Sequence, residues 1–179
     1  LTNIANLLSI ADEGQALELV RSKINKLWLL GGNHPERGHE MIQNGVKEFN
    51  FGRDPVAAAL VLESPALSGK IWAVPGSETH YNRVPSTYVD SILSDVVKDR
   101  DDLLSRIIRA DPRYAVFFDP ICCFLYHNPT AATFASKKVR VCRSTGILTH
   151  SEDGDTEEST CTTVCEHQIA SEIDFERYK

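Results

Sequence analysis

The chain has 179 residues, of which 42% are hydrophobic and 25% charged, and its formal net charge is −6. This length suits one domain with a buried core, spanning residues 1–179, and is short for two domains. The composition argues against a disordered chain, and the lack of any lysine and arginine cluster argues against a nucleic-acid polymer as partner. No apolar run approaches the roughly 18–20 residues that cross a bilayer, so no membrane partner is expected.

Short apolar strands alternate with helical patterns along the chain, which is typical of an α/β layered fold. The first half predicts, in order, a helix, a strand, a polar loop over a site, a second helix and a second strand, at residues 11–24, 26–30, 33–47, 54–63 and 70–74. Apolar residues at helical spacing support the first helix. The second helix has the stronger start signal, because Asp54 is a good N-cap residue and Pro55 suits the first helical position.

The second half predicts three helices followed by two strands, at residues 86–98, 103–108, 119–126, 139–142 and 162–170. The first of these helices is the most clearly amphipathic, with apolar residues along one face. Asp119-Pro120 opens the third helix by the same capping logic as Asp54-Pro55. An acidic, hydrophilic loop is expected over residues 151–159, between the two strands.

Five cysteines, an odd number, lie in the second half of the chain. Cys122 and Cys123 are part of an apolar run and are expected to be small core residues. Cys161 and Cys165 have the spacing of half a metal site, but no second pair of ligands accompanies them. Reduced thiols in an intracellular protein are therefore expected, with a cytoplasmic location.

The most informative stretch is residues 47–55, where a carboxylate and a carboxamide stand two positions apart just before a helix start. Side chains at positions i and i+2 of an extended segment point to the same side. Glu48 and Asn50 could therefore hold one small polyhydroxyl ligand together. The alternative is a polar loop that only leads into the helix.

The same stretch, Glu-Phe-Asn-(x)3-Asp-Pro, resembles a segment of the nucleoside hydrolases, the calcium-dependent N-ribohydrolases. The similarity continues in order over nearly the whole chain, with Leu-Thr-Asn-Ile-Ala at 1–5, Leu-Leu-Gly-Gly at 29–32, Phe-Phe-Asp-Pro at 117–120, Thr-Gly at 145–146 and Ile-Asp-Phe-Glu at 173–176. The resemblance implies the Rossmann-like layered α/β fold of that family, present as a C-terminal portion that lacks the N-terminal strands. It also implies calcium-dependent hydrolysis of the N-glycosidic bond of ribonucleosides to ribose and base.

The resemblance assigns roles to individual residues. Asp119 would be a calcium ligand, together with the backbone carbonyl of Thr2. Glu48 and Asn50 would hydrogen-bond the hydroxyls of ribose, with Asn44 as a further ribose contact. The alternative for Asp119 is helix capping alone.

Phe118 stands where much of the family has a histidine that protonates the departing base, a role that phenylalanine cannot fill. A purine-selective branch has a tryptophan at this position and stacks the base against it. Phe118 could therefore supply a smaller stacking face for a purine. Equally, it could be a core residue, because Phe117 and an apolar helix adjoin it.

The family's strongest signature, an Asp-x-Asp-x-Gly-x-Asp-Asp run that supplies most calcium ligands and the general base, has no counterpart in this sequence. Ser77 also stands where the family has an aspartate. In one hypothesis the chain is an enzyme whose missing aspartates come from an N-terminal segment or from another protein chain. In a second it is a catalytically silent subunit, a pseudoenzyme, of a larger assembly.

A module that binds ribose or a nucleoside without cleaving it is a third hypothesis. The first two share one expectation about partners, because a half-sheet has an open edge and an uncovered apolar face. The partner would be the N-terminal segment, another protein chain, or further copies of this chain in a homo-oligomer.

Overall fold

The computed structural model describes residues 1–9, 13–78, 86–111, 118–150 and 165–178. Within this part of the chain, five strands form one mixed sheet in the order β1-β2-β5-β3-β4. Their bounds are β1 Leu27–Leu30, β2 Ile71–Val74, β3 Ala132–Val141, β4 Leu148–His150 and β5 Cys165–Ile173. Strands β1, β2 and β5 run parallel, whereas β3 is antiparallel to both of its neighbours. Connections between parallel strands pass over the faces of the sheet, so helices cover it.

The described helices are α1 Thr2–Ser9, α2 Glu13–Lys23, α3 Gly38–Gln43, α4 Pro55–Leu62, α5 Ser86–Ser91, α6 Leu103–Ala110 and α7 Phe118–His127. None of them has the length and apolar character needed to cross a membrane. Short 3-10 turns lie at Pro35–Arg37, Phe51–Arg53, Pro129–Ala131 and Phe175–Tyr178.

Two buried clusters lie on opposite faces of the sheet. Ile71 and Ala73 of β2 pack into the cluster that contains α1 and α4, whereas Val74 packs into the cluster that contains α7. In β5, Ile169 and Ala170 divide between the two clusters in the same way. Successive side chains of a strand point to opposite faces, so the sheet is the middle layer between helices. The predicted α/β layered fold is thereby confirmed.

Helix α4 lies where the sequence predicted it, and its start shows the predicted capping. Asp54 caps it, accepting a hydrogen bond from the Ala57 N–H at 3.1 Å, and Pro55 occupies the first turn. The hydroxyl of Thr2 donates to the second carboxylate oxygen of Asp54 at 2.7 Å, which ties α1 to the start of α4. The Thr2 hydrogen bond and then the Ala57 N–H lower the pKa of Asp54.

Several predicted elements differ from the structure. The loop predicted over residues 33–47 contains a 3-10 turn and helix α3. The amphipathic helix predicted over 86–98 changes after Ser91 to π-helical turns at Ile92–Val97. Strand β3 begins seven residues earlier than predicted, and α1 and β4 were not predicted. The loop at 151–159 lies outside the described residues.

The cysteine prediction was half correct. Cys122 is partly buried against the α7 cluster, and this burial raises the pKa of its thiol to about 12. Cys123 is exposed, because the next residue on a helix turns by about 100° and faces away from the sheet. Cys165 is buried in β5, while Cys161 lies outside the described residues.

A buried histidine in β5 should make the stability of the fold depend on pH. Burial lowers the pKa of His167 below its ordinary value of 6.5, although Nε2 donates to the Leu62 carbonyl at 2.6 Å. Below pH 6.5 the unfolded chain binds a proton that the native state excludes, so the stability is present at higher pH and is lost as the pH falls. We expect the free energy of unfolding to drop by up to about 1.4 kcal/mol per pH unit as the pH falls below about 6.5.

Urea unfolding of wild type and of His167→Gln, which keeps an N–H donor for Leu62, would measure this dependence. The variant should lose that part of the acid sensitivity. The exposed His127→Gln is the matched control and should follow the wild type. Coincident pH curves for wild type and His167→Gln would mean that the native state accepts the proton.

Candidate active site

A cavity of about 710 Å³ lies at the carboxyl ends of the first two strands. Its wall comes from the segment after β1, from the segment after β2, and from the first turn of α7. The lining side chains and backbone belong to Leu30, Gly32, Asn33, His34, Arg37, Met41, Val46, Lys47, Glu48, Phe49, Asn50, Gly76, Ser77 and Asp119. Ligands of α/β proteins bind at this edge of the sheet, and the volume suits a small organic molecule.

The predicted pair Glu48 and Asn50 lines this cavity, but in a different backbone conformation from the one expected. Residues 49 and 50 form a turn that continues directly into the 3-10 turn at Phe51–Arg53. Asn50 has helical φ and ψ of −86° and −51°. The two side chains therefore do not share a side through strand geometry. They share the cavity because the turn folds around the buried ring of Phe51.

One hydrogen bond and two closely packed glycines hold this turn in place. The Glu48 N–H donates to the Thr145 carbonyl at 3.0 Å, which joins the turn to the β3–β4 connection. Gly31, which follows β1, has φ of +143°, and a Cβ there would lie 2.7 Å from the Phe51 ring. Gly146 has φ of +74°, and a Cβ there would lie 2.4 Å from the Gly52 nitrogen. Glycine is needed at both positions, because a side chain would collide with the turn.

Glu48 is a buried carboxylate that backbone amides surround. The Phe51 N–H donates to its Oε2, and the N–H groups of Gly32, Asn50 and Gly52 also stabilise the charge. Burial has the larger effect and raises the pKa of Glu48 above its usual range. The Phe51 N–H bonds the carboxylate directly, whereas the Gly52 N–H is bonded to the Glu48 backbone carbonyl at 3.1 Å. A carboxylate has about four acceptor sites, so a hydroxyl in the cavity can still donate to Glu48.

Asn50 presents a second acceptor to the cavity. Its Nδ2 donates to the Leu30 carbonyl at 3.1 Å, at the end of β1. This bond orients the carboxamide and leaves its oxygen to accept. Together, Glu48 and Asn50 are suited to a ligand with adjacent hydroxyl donors.

The remaining predicted site residues fall into two groups. Asp119 lines the cavity and is exposed, and it lies inside the first turn of α7 rather than at the N-cap, because the helix begins at Phe118. The Phe118 side chain lies outside what the structure describes. Thr2 bonds Asp54, and Asn44 is the exposed C-cap of α3; neither of these two lines the cavity. The roles of all these residues stay predictions.

One wall of the cavity is apolar. Leu30, Met41, Val46 and Phe49 line it, and the Phe49 side chain is 73% exposed. The Arg53 guanidinium lies 5.0 Å from the centre of the Phe49 ring. An exposed aromatic face next to polar acceptors suits a ligand with a planar ring and a polar portion.

A histidine and a glutamate that the sequence did not single out meet at this cavity. Nε2 of His34 lies 2.7 Å from Oε1 of Glu78, which is buried. The Asn33 carboxamide donates to the His34 carbonyl and to the Leu148 carbonyl, both at 2.9 Å, so the His34 backbone is held against β4. The 44 positions between His34 and Glu78 explain why spacing could not reveal the pair.

The described residues do not by themselves fit a calcium ion. Glu48 and Asp119 are the carboxylates among the lining residues, and backbone N–H groups already engage Glu48. No group of three or more His, Cys, Asp or Glu that could hold a metal occurs in the described ranges. Calcium takes six to eight oxygen ligands, so further ligands would have to come from elsewhere.

A mostly apolar cavity with a few polar groups, at the carboxyl edge of an α/β sheet, is typical of proteins that bind small molecules. The family model described as inosine-uridine preferring nucleoside hydrolase matches residues 1–179. The chain belongs to this family.

Solved structures share the fold. An inosine-uridine preferring nucleoside hydrolase from Bacillus anthracis has a TM-score of 0.63 and 20% identity, over 99% of this chain and 54% of that chain. A plant nucleoside hydrolase, the PpNRh1 enzyme, has a TM-score of 0.50 and 17% identity, over 86% of this chain and 49% of that one. This chain thus spans about half the length of each. A search of curated proteins finds no match.

Proposed function

We propose that this chain carries the ribose-binding part of a nucleoside N-ribohydrolase, as one partial domain over residues 1–179. The reaction is hydrolysis of the N-glycosidic bond of purine ribonucleosides to ribose and base. One observation supports this proposal most: the acceptors of Glu48 and Asn50 and the carboxylate of Asp119 line one cavity with an apolar wall. The matching family and the similar solved structures are those of nucleoside hydrolases, which agrees with it.

The residues of this chain would act by binding and by electrostatics. Glu48 and Asn50 accept hydrogen bonds from ribose hydroxyls, which orients the sugar. Cleavage of a glycosidic bond passes through a cation-like sugar, and a fixed carboxylate stabilises positive charge that develops there. The base lies along the apolar wall, where Phe49 offers an exposed ring and Phe118 begins the helix that carries Asp119.

The proposal needs groups that the described residues lack. Asp119 and the Thr2 carbonyl remain proposed calcium ligands, and the other ligands and the general base would come from an N-terminal segment or from another chain. The described residues alone do not complete a calcium site.

A second candidate is a catalytically silent subunit of a larger assembly. The observation that favours it is the same missing acidic cluster among the described residues. In addition, β1 lies at one edge of the sheet that those residues form. A strand edge can pair with another chain.

Release of ribose from inosine and uridine by the natively isolated protein, with and without a calcium chelator, would test the proposal. We expect release that the chelator abolishes, with 2′-deoxyinosine cleaved far more slowly, because the acceptors would lose a hydroxyl partner. The absence of release from protein shown to be folded by circular dichroism would favour the silent subunit. Ribose binding without release, measured by calorimetry, would favour a binding module.

A further inference from the structure

We propose that His34, oriented by Glu78, is the acid that protonates the departing base. This inference rests on the proposed function and adds a residue to it. Phe118 occupies the position where the family resemblance implies a proton donor, and phenylalanine has no proton to give. His34 is the imidazole among the described residues that line the cavity.

The surroundings of His34 restrict how it can act. Its backbone is held by Asn33, which bonds both the His34 carbonyl and β4. Its ring is held by Glu78, whose side chain is only 4% exposed and lies 2.7 Å from Nε2. The Ser77 hydroxyl also lies 3.5 Å from the same glutamate oxygen. The His34 side chain itself is 23% exposed, so it lies at the cavity wall rather than in the core.

This arrangement determines which ring nitrogen of His34 can exchange a proton with the ligand. With Glu78 accepting the proton on Nε2, the Nδ1 atom is the one that can exchange a proton with a bound nucleoside. A carboxylate bonded to one ring nitrogen fixes the orientation of the ring. The other charged side chains on the cavity wall are Arg37, Lys47, Glu48 and Asp119.

Protonation of the base accompanies cleavage of the N-glycosidic bond. The bond between C1′ of ribose and the ring nitrogen of the base breaks, and its electron pair goes to the base. The proton on His34 Nδ1 passes to a ring nitrogen of the base, which leaves neutral. The oxygen of a water molecule bonds to C1′ and its proton is released, while His34 takes a proton back from solvent. The sum is nucleoside plus water giving ribose plus base.

Two substrates with different leaving groups would test this role in the natively isolated protein. Inosine needs protonation of its base, whereas 4-nitrophenyl riboside releases a phenolate that is stable without a proton. For His34→Gln, whose amide can still bond Glu78, we expect kcat on inosine to fall about 10²–10⁴-fold, the range of general acid catalysis. The rate on the nitrophenyl riboside should stay close to that of the wild type.

Glu78→Gln tests the positioning role. It should lower kcat on inosine less than His34→Gln does and leave the rate on the nitrophenyl riboside close to that of the wild type, because the ring loses the partner that orients it. A merely structural role for Glu78 would lower the rates on both substrates equally. His150→Gln, a partly buried histidine that does not line the cavity, is the matched control and should leave both rates unchanged.

The outcomes distinguish a failure of this inference from a failure of the proposed function. If the wild type cleaves both substrates and His34→Gln lowers both rates equally, or lowers neither, His34 is not the acid. The proposed function then still stands. If wild type cleaves neither substrate, the proposed function fails and the inference fails with it.

Discussion

Replacing Gly146 by alanine should destabilise the protein by about 3 kcal/mol. Two costs add at this position. A left-handed backbone costs an alanine roughly 1–2 kcal/mol, and forcing a methyl group into a packed site costs roughly 1–3 kcal/mol. The new Cβ would lie 2.4 Å from the Gly52 nitrogen and 2.5 Å from the Phe51 carbonyl carbon, and both are backbone atoms that cannot rotate away. Urea unfolding followed by the fluorescence of Trp28 and Trp72 would measure the loss.

Gly69→Ala is a control matched in backbone conformation. Gly69 has φ of +75°, against +74° for Gly146, but a Cβ there would have no atom within 4 Å. We expect a loss of only about 1 kcal/mol, which reflects the left-handed backbone alone. Equal losses in the two variants would mean that the contact between the β3–β4 connection and the Glu48 turn does not restrict the turn.

Glu48→Gln should lower kcat/KM for inosine about 100-fold in the natively isolated protein. A hydrogen bond to a charged group contributes roughly 1.5–3 kcal/mol, and 1.4 kcal/mol corresponds to about tenfold in rate. Glutamine also replaces one acceptor oxygen by an NH2 group, which the surrounding backbone N–H groups disfavour. Steady-state kinetics on inosine would measure the loss.

The same substitution should cost roughly 1–3 kcal/mol of stability, as at a buried carboxylate that loses an N–H partner, and still leave the protein folded at neutral pH. Burial raises the pKa of Glu48 in the native state above its ordinary value of 4.5, despite the opposing N–H groups. The native state therefore binds the proton more tightly than the unfolded chain, and the contribution of Glu48 to stability falls as the pH rises through the raised pKa. Glu48→Gln has no carboxyl group to titrate and so lacks this decrease with pH. Its activity should therefore fall while the protein stays folded.

Glu63→Gln is the matched control, because Glu63 is nearly as buried as Glu48 but lies outside the cavity. Glu63 accepts the Val141 N–H at 3.0 Å and lies 3.5 Å from Arg143. Its substitution should cost roughly 1–3 kcal/mol of stability and leave kcat/KM close to the wild-type value. If Glu63→Gln lowered kcat/KM as strongly as Glu48→Gln, the effect at Glu48 would be structural.

Local signals explain which parts of the fold the sequence predicted. Helix α4 was correct because Asp54 and Pro55 mark its start within two positions. Helix α3 was missed because Gly38 and the polar residues around it suggest a loop; the glycine is there because a Cβ would lie 2.1 Å from the Leu148 carbonyl oxygen. Strand β4 was missed because its three residues are held by pairing with β3, which no local pattern reveals.

In the candidate site too, some residues were indicated by the sequence and others are brought together only by the fold. Glu48 and Asn50 were placed at a cavity by the sequence, but for the wrong geometric reason, since the segment is a turn and not a strand. Asp119 was placed at the same cavity through the family resemblance. His34 and Glu78 were missed because only the fold brings them together. Their family roles, like those of Thr2, Asn44 and Phe118, stay predictions.

The contact of Glu48 with Thr145 also bears on the order of folding. These two residues are almost a hundred positions apart, and the hydrogen bond between them joins the Glu48 turn to the β3–β4 connection. Closing so long a loop is entropically costly and slow, so the turn cannot settle until β3 and β4 have docked. We therefore expect the edge that carries the cavity to be among the last parts of the molecule to become ordered during folding. The same dependence means that a local opening of the β3–β4 connection in the native state releases the turn with it.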